Sequence, residues 1–225
     1  MTQQKSALII GASRGLGLGL VHRLLEDGWQ VTATVRDSAN APALQGQPVK
    51  IESLEMADVA SMDALAQRLG DQRFDLLFIN AGIMGPTGNT DGASVQDIGE
   101  LFAINAVAPI RLAKRLLGHV QDHGTLAFMS SVLGSVAQPD APDAALYKAS
   151  KAALNSTTNT FVSQLGDTGL TVLSVHPGWV KTDMGGAEAA IDVETSTRGI
   201  VTQIDAFTGK GGHHFIDYQG KTIPW

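Results

Sequence analysis

Short apolar runs that stop at glycine or polar residues, each followed by residues at helical spacing, constrain this chain more than any other feature. Ser6 to Ile10 reads as a buried strand. Gly11-Ala12-Ser13-Arg14-Gly15-Leu16-Gly17 follows, and Leu16, Leu20, Val21, Leu24 and Leu25 then recur one turn apart until Gly28. The pattern repeats. Strands are expected at 30–35, 49–54, 76–79, 125–129, 170–175 and 214–217. Helices are expected at 61–69 with Ser61 as cap, at 94–117 with a kink at Pro109, from Tyr147 to Leu165, and at 195–207. Strands that alternate with helices pair in parallel and are covered on both faces, so the expected class is α/β.

A length of 225 residues suits one domain, with no linker or repeat to divide it. The formal net charge of -6 argues against nucleic acid or an anionic membrane as partner. With no cysteine there is no disulfide, no thiolate nucleophile and no Cys-ligated metal. No run approaches the length of a membrane span, and Ala7 to Ile10 is too short for a signal h-region. A cytoplasmic protein is expected. His22, His119 and His123 read as surface residues, and the adjacent pair His213-His214 as a poor chelate, so no metal is expected.

In open parallel sheets ligands bind beyond the carboxyl ends of the strands. The distinctive residues of this chain fall there: the glycines after the first strand, Arg36 after the second, Asn80 after the fourth, Ser131 after the fifth, Pro177-Gly178 after the sixth. Gly11, Gly15 and Gly17 would let backbone approach a pyrophosphate at a helix N-terminus. Tyr147 and Lys151 stand four apart, on one face of a helix. A phenol ordinarily ionises near ~10, and an ammonium beside it favours the phenolate, so the pair is suited to handling a proton.

Taken in order, Gly11-Ala12-Ser13-Arg14-Gly15-Leu16-Gly17, Asn80-Ala81-Gly82, Ser131, Tyr147-x-x-x-Lys151 and Pro177-Gly178 resemble the short-chain dehydrogenase/reductases of the compact type. Pro177 to Gly186 and the ending Phe215 to Trp225 are similar to the C-factor-like and sniffer-like carbonyl reductases. The resemblance implies a Rossmann-type doubly wound parallel sheet of about seven strands, with helices on both faces, in a single domain over residues 1–225. It implies hydride transfer between a nicotinamide and a carbonyl or secondary alcohol, with Tyr147 as general acid or base. Lys151 would lower the tyrosine pKa and hold the nicotinamide ribose. Ser131 would bind the substrate oxygen, and Asn105 would support a water beside the lysine. Because neighbours on a strand face opposite ways, only one of Ser130 and Ser131 can serve, and the family pattern selects Ser131.

The same resemblance assigns the cofactor to Gly11, Ser13, Arg14, Gly15, Leu16 and Gly17, with adenine at Asp58 and the adenosine ribose beside Asn80, Ala81 and Gly82. Pro177, Gly178, Val180 and Thr182 would border the nicotinamide. The position where an NAD site wants a carboxylate is Val35, and Arg36 follows, so NADP(H) is expected over NAD(H), with Arg14 and Arg36 on the 2′-phosphate. Between Ala144 and Leu165 the charged residues are Lys148 and Lys151 alone. That depletion, with small residues at Ala149, Ala153, Ser156 and Thr160, predicts a homodimer or homotetramer. Two other readings compete: a cofactor-binding regulatory or signalling protein with little turnover, and an extended-type epimerase or dehydratase. Arg14 stands where the latter's glycine pattern wants glycine.

Overall fold

Apolar β-branched segments at the predicted places pair into one sheet. The computed structural model describes residues 4–39, 41–87, 90–138 and 141–225; Pro139, in the loop expected before Tyr147, lies outside them. The strands are β1 (Ser6–Ile10), β2 (Gln30–Val35), β3 (Val49–Ser53), β4 (Phe74–Ile79), β5 (Val120–Met129), β6 (Thr171–His176) and β7 (Gly212–Asp217). They form a seven-stranded sheet in the order β3-β2-β1-β4-β5-β6-β7, parallel throughout. The direction of winding reverses between β1 and β4. That reversal opens a crevice above their carboxyl ends.

Helices α1 (Gly15–Glu26) and α6 (Val193–Phe207) cover one face. Leu20, Val21, Leu24, Ile200, Val201 and Ile204 pack there on the inward residues of the central strands. Helix α1 can lie close to α6 because residue 19 is glycine: a Cβ there would overlap the Val193 side chain. The other face is covered by α2 (Val59–Leu69), α3 (Val95–Phe102), α4 (Ala108–Leu116) and α5 (Ala145–Leu165). Met62, Leu65, Leu112, Leu116, Leu154 and Phe161 form that layer of the core.

Three local expectations change. Helix α2 starts earlier than expected, and its cap is Asp58, which accepts from the Ala60 N–H at 2.9 Å; Ser61 Oγ instead accepts from Glu55 N at 2.9 Å. The helix expected over 94–117 is broken by a π-helical turn, Ala103–Val107, that joins α3 to α4. Pro109 lacks the N–H an α-helix would direct at the Asn105 carbonyl, so the ladder widens one turn upstream of the proline. His22 is not a surface residue: it is half-buried, with Nε2 lacking a partner among the described residues.

Candidate active site

The glycine turn is shaped by contacts that exclude side chains. Gly11 has φ +83°, and a Cβ on it would stand 2.8 Å from the Ala81 Cβ. A Cβ on Gly17 would collide with the Gly11 carbonyl oxygen. That oxygen accepts from Asn80 Nδ2 at 2.8 Å, and Gly11 N donates to Thr34 Oγ1 at 3.1 Å. The turn is thereby fastened to β2 and to the end of β4. Arg14, at the N-cap of α1, makes no side-chain cap, which leaves the first turn's N–H groups to a ligand.

The exposed guanidinium of Arg14 instead pairs with Asp183, from the segment after β6. Arg36 is exposed directly past β2, and among the described residues it has no ion-pair partner. Val35, buried, puts no carboxylate at the strand end. The neighbouring Asp37 carboxylate is engaged by Ala39 N at 3.0 Å.

The segment after β6 is ordered by its own hydrogen bonds. Gly178 takes φ +86°, where a Cβ would meet Ile191 Cδ1 at 2.7 Å. Val180 is buried and bridges Ile191, and the Pro177 carbonyl accepts from Ser196 Oγ at 2.6 Å. Thr182 Oγ1 accepts from Gly185 N at 3.1 Å, and its methyl lies beside Gly15. The expected nicotinamide border thus abuts the glycine turn.

Helix α5 brings Tyr147 and Lys151 to the same end of the sheet, both buried. The strand alternation separates the two serines as expected: Ser130 turns inward to Asn155, while Ser131 lies near enough to Tyr147 to act on its phenol. Burial pushes the Tyr147 phenol up to about 12, and Ser131 offsets part of that rise. The expectation that Lys151 lowers the phenol is not met in this structure. The ammonium stands 5.7 Å from the ring centroid, and burial holds it down to about 8. Desolvation outweighs the effect of Ser131 here. Lys151 Nζ donates to the Met129 carbonyl at 2.8 Å, which leaves donor capacity for a ribose hydroxyl.

Asn105 sits in the π-helical turn and is buried. Its side chain clasps Ile83 twice, accepting from the N–H and donating to the carbonyl at 2.8 Å each, and donates to Ser150 Oγ at 3.0 Å. Ser150 passes the contact to the Tyr147 carbonyl at 2.7 Å. Asn105 therefore ties the loop after Gly82 to the helix of the tyrosine. Sequence reasoning missed Ser150 in this role, and missed Asn155, which accepts from Ser130; the signal was two buried polar residues on α5.

The cradle fits a dinucleotide. A Cβ on Gly82 would lie 3.1 Å from Asn105 Oδ1 and 3.6 Å from Lys151 Nζ, so glycine keeps open the space that reaches the lysine. A buried ammonium facing that space, with an uncapped helix beyond, suits ribose and pyrophosphate. No group of residues able to hold a metal is found among the described residues; His213 is bonded to Ser174 at 2.9 Å and Asn159 at 2.7 Å.

Residues 5–191 match the model of the short chain dehydrogenase family, and the chain belongs to that family of oxidoreductases. It is 33% identical to C-signal of Myxococcus xanthus over 166 residues, 73% of this chain and all of that one. A short-chain dehydrogenase/reductase of Burkholderia multivorans with bound NADP superposes with TM-score 0.95 at 35% identity, covering 99% of this chain and 100% of that one. The carbonyl reductase Sniffer of D. melanogaster superposes with TM-score 0.90 at 31% identity, with the same coverage. This places the chain among the compact members, near the C-factor-like and sniffer-like reductases.

Proposed function

We propose that residues 1–225 act as a single domain that reduces a carbonyl compound with NADPH, or runs the reverse oxidation, with Tyr147 as the proton donor. The observation that carries this reading is a buried Tyr147 one turn from a buried Lys151, with Ser131 near enough to lower the phenol, at the carboxyl end of the sheet. When bound, the nicotinamide supplies the hydride. Ser131 holds the carbonyl oxygen and offsets its developing charge, while the phenol, fully protonated at neutral pH, gives up its proton to that oxygen. Lys151 holds the ribose, and its charge favours the phenolate that remains. Asn105 keeps the Gly82 backbone and α5 in register.

The pyrophosphate lies at Gly11, Ser13, Gly15, Leu16 and Gly17, with the adenosine side at Asp58, Asn80, Ala81 and Gly82 and the nicotinamide side at Pro177, Gly178, Val180 and Thr182. Arg36 reads the 2′-phosphate, supported by its exposure and by the absence of a carboxylate at Val35. The protein works in the cytoplasm, and a homodimer or homotetramer fits the small, uncharged residues Ala149, Ala153, Ser156 and Thr160 on the outer side of α5. A binding protein without turnover has no need to bury a phenol and an ammonium together.

Tyr147→Phe tests the assignment. The ring stays and the hydroxyl goes, so NADPH should bind with unchanged affinity while turnover falls roughly 10²–10⁴-fold. Near-normal reduction by this variant would remove Tyr147 from the mechanism.

A further inference from the structure

Ser130 is left idle by this chemistry, yet it is buried and bonded. Its hydroxyl donates to Asn155 Oδ1 at 2.7 Å. Asn155 is buried on α5, one turn beyond Lys151, and its Nδ2 donates to the Gly134 carbonyl at 3.4 Å. One side chain therefore grips residues 130 and 134, the two ends of the segment that carries Ser131. Inside that segment Gly134 N bonds the Ser131 carbonyl at 2.8 Å, and Leu133 N bonds Ser131 Oγ at 3.2 Å. The second of these occupies an acceptor site of the hydroxyl and leaves its hydrogen free to donate. The fit is close: a Cβ on Gly134 would stand 2.9 Å from the Lys151 carbonyl carbon and 3.0 Å from Asn155 Nδ2. An amide buried at this depth is unfavourable unless bonded, and leucine would fill the space without that demand.

We propose that Asn155 is a positioning residue, which clamps the 130–134 segment to α5 and so sets where the Ser131 hydroxyl stands relative to Tyr147. Tyr147, Lys151 and Asn155 then lie on successive turns of one helix. Proton donor, ammonium and serine clamp move as a rigid unit. The proposal rests on reading Ser131 as the group that holds the substrate oxygen.

The test is a double-mutant cycle on the full chain, with NADPH affinity measured by fluorescence beside steady-state kinetics. Displacement of a reacting group by about 1 Å can lower a rate roughly 10²-fold. Asn155→Leu should therefore reduce kcat roughly 10–100-fold with the NADPH Kd unchanged. In a Ser131→Ala background the same change should lower kcat no further, because nothing remains to be positioned. Equal losses in both backgrounds, or a weakened NADPH Kd that accounts for the loss, overturn the proposal. Ser130→Ala approaches the clamp from its other partner and should show the same dependence on Ser131, with Ser130→Thr restoring kcat; this pair decides if Asn155→Leu does not fold. Should Ser131→Ala turn over normally, the reading of Ser131 fails first and the clamp loses its object, a result separable from additive losses.

Discussion

Arg36 and Lys151 carry single charges whose consequences differ. Arg36 stands exposed past β2 with Val35 buried beside it. A charge-assisted contact to a phosphate contributes roughly 1.5–3 kcal/mol, or about 10–150-fold in affinity. Arg36→Ala should weaken NADPH by that factor and leave NADH nearly unchanged, as titration with each cofactor will show. Equal weakening of both would exclude Arg36 as the reader of the 2′-phosphate. Lys151, held down to about 8 by burial, loses its proton as pH rises through that value, whereas Tyr147 at about 12 keeps its own. The kcat/KM for reduction, which reports the free enzyme, should thus be flat below pH 7 and fall as pH rises through about 8. Lys151→Arg should move that fall out of range. A wild-type profile level to pH 10 would contradict the assignment.

At the scale of elements, helix α5 has two jobs. Its inner stripe places the catalytic groups, and its outer side exposes Ala149, Ser156 and Thr160 around a half-buried Ala153. If that side joins subunits, Ala153→Glu should convert a larger species to one of 23.6 kDa in light scattering at micromolar concentration; wild-type protein already at that mass would dismiss the interface. The same helix shows what the sequence could and could not disclose. Helical spacing put Tyr147 and Lys151 on one face and the strand end offered Ser130 or Ser131, but the resemblance to the family was needed to select Tyr147, Lys151 and Ser131. The clasp of Asn105 on Ile83 was not legible, since the π-helical turn that aims it arises from a missing N–H at Pro109 acting one turn away. Asp58 was named only through the resemblance, as the adenine residue; its capping of α2 was expected of Ser61 instead. The lowered phenol pKa was expected from charge alone. Burial, which depends on the whole layer above the sheet, reverses its sign.

Across the whole molecule, two core layers meet a sheet whose open edges are β3 and β7. The β3 edge is short and carries Lys50 and Glu52, paired at 3.1 Å, a charge placement that discourages pairing with another chain. The β7 edge is protected differently. The chain turns at Gly220 and returns along it: Thr222 bridges Ile216, and Ile223 N bonds the Phe215 carbonyl at 2.9 Å. Trp225 then stacks on Phe215 and tilts over His213, with ring centroids 5.2 and 4.7 Å apart. Pro224, with no N–H to offer, lies in the returning segment. Those last residues cover backbone of the β7 edge that would otherwise be open to another chain. Deleting 221–225 should bare the backbone of Phe215 and Asp217 and make the protein associate edge to edge on warming, seen as scattering that rises with concentration before secondary structure is lost. A truncated chain that melts as cleanly as the intact one would show that β7 needs no guard.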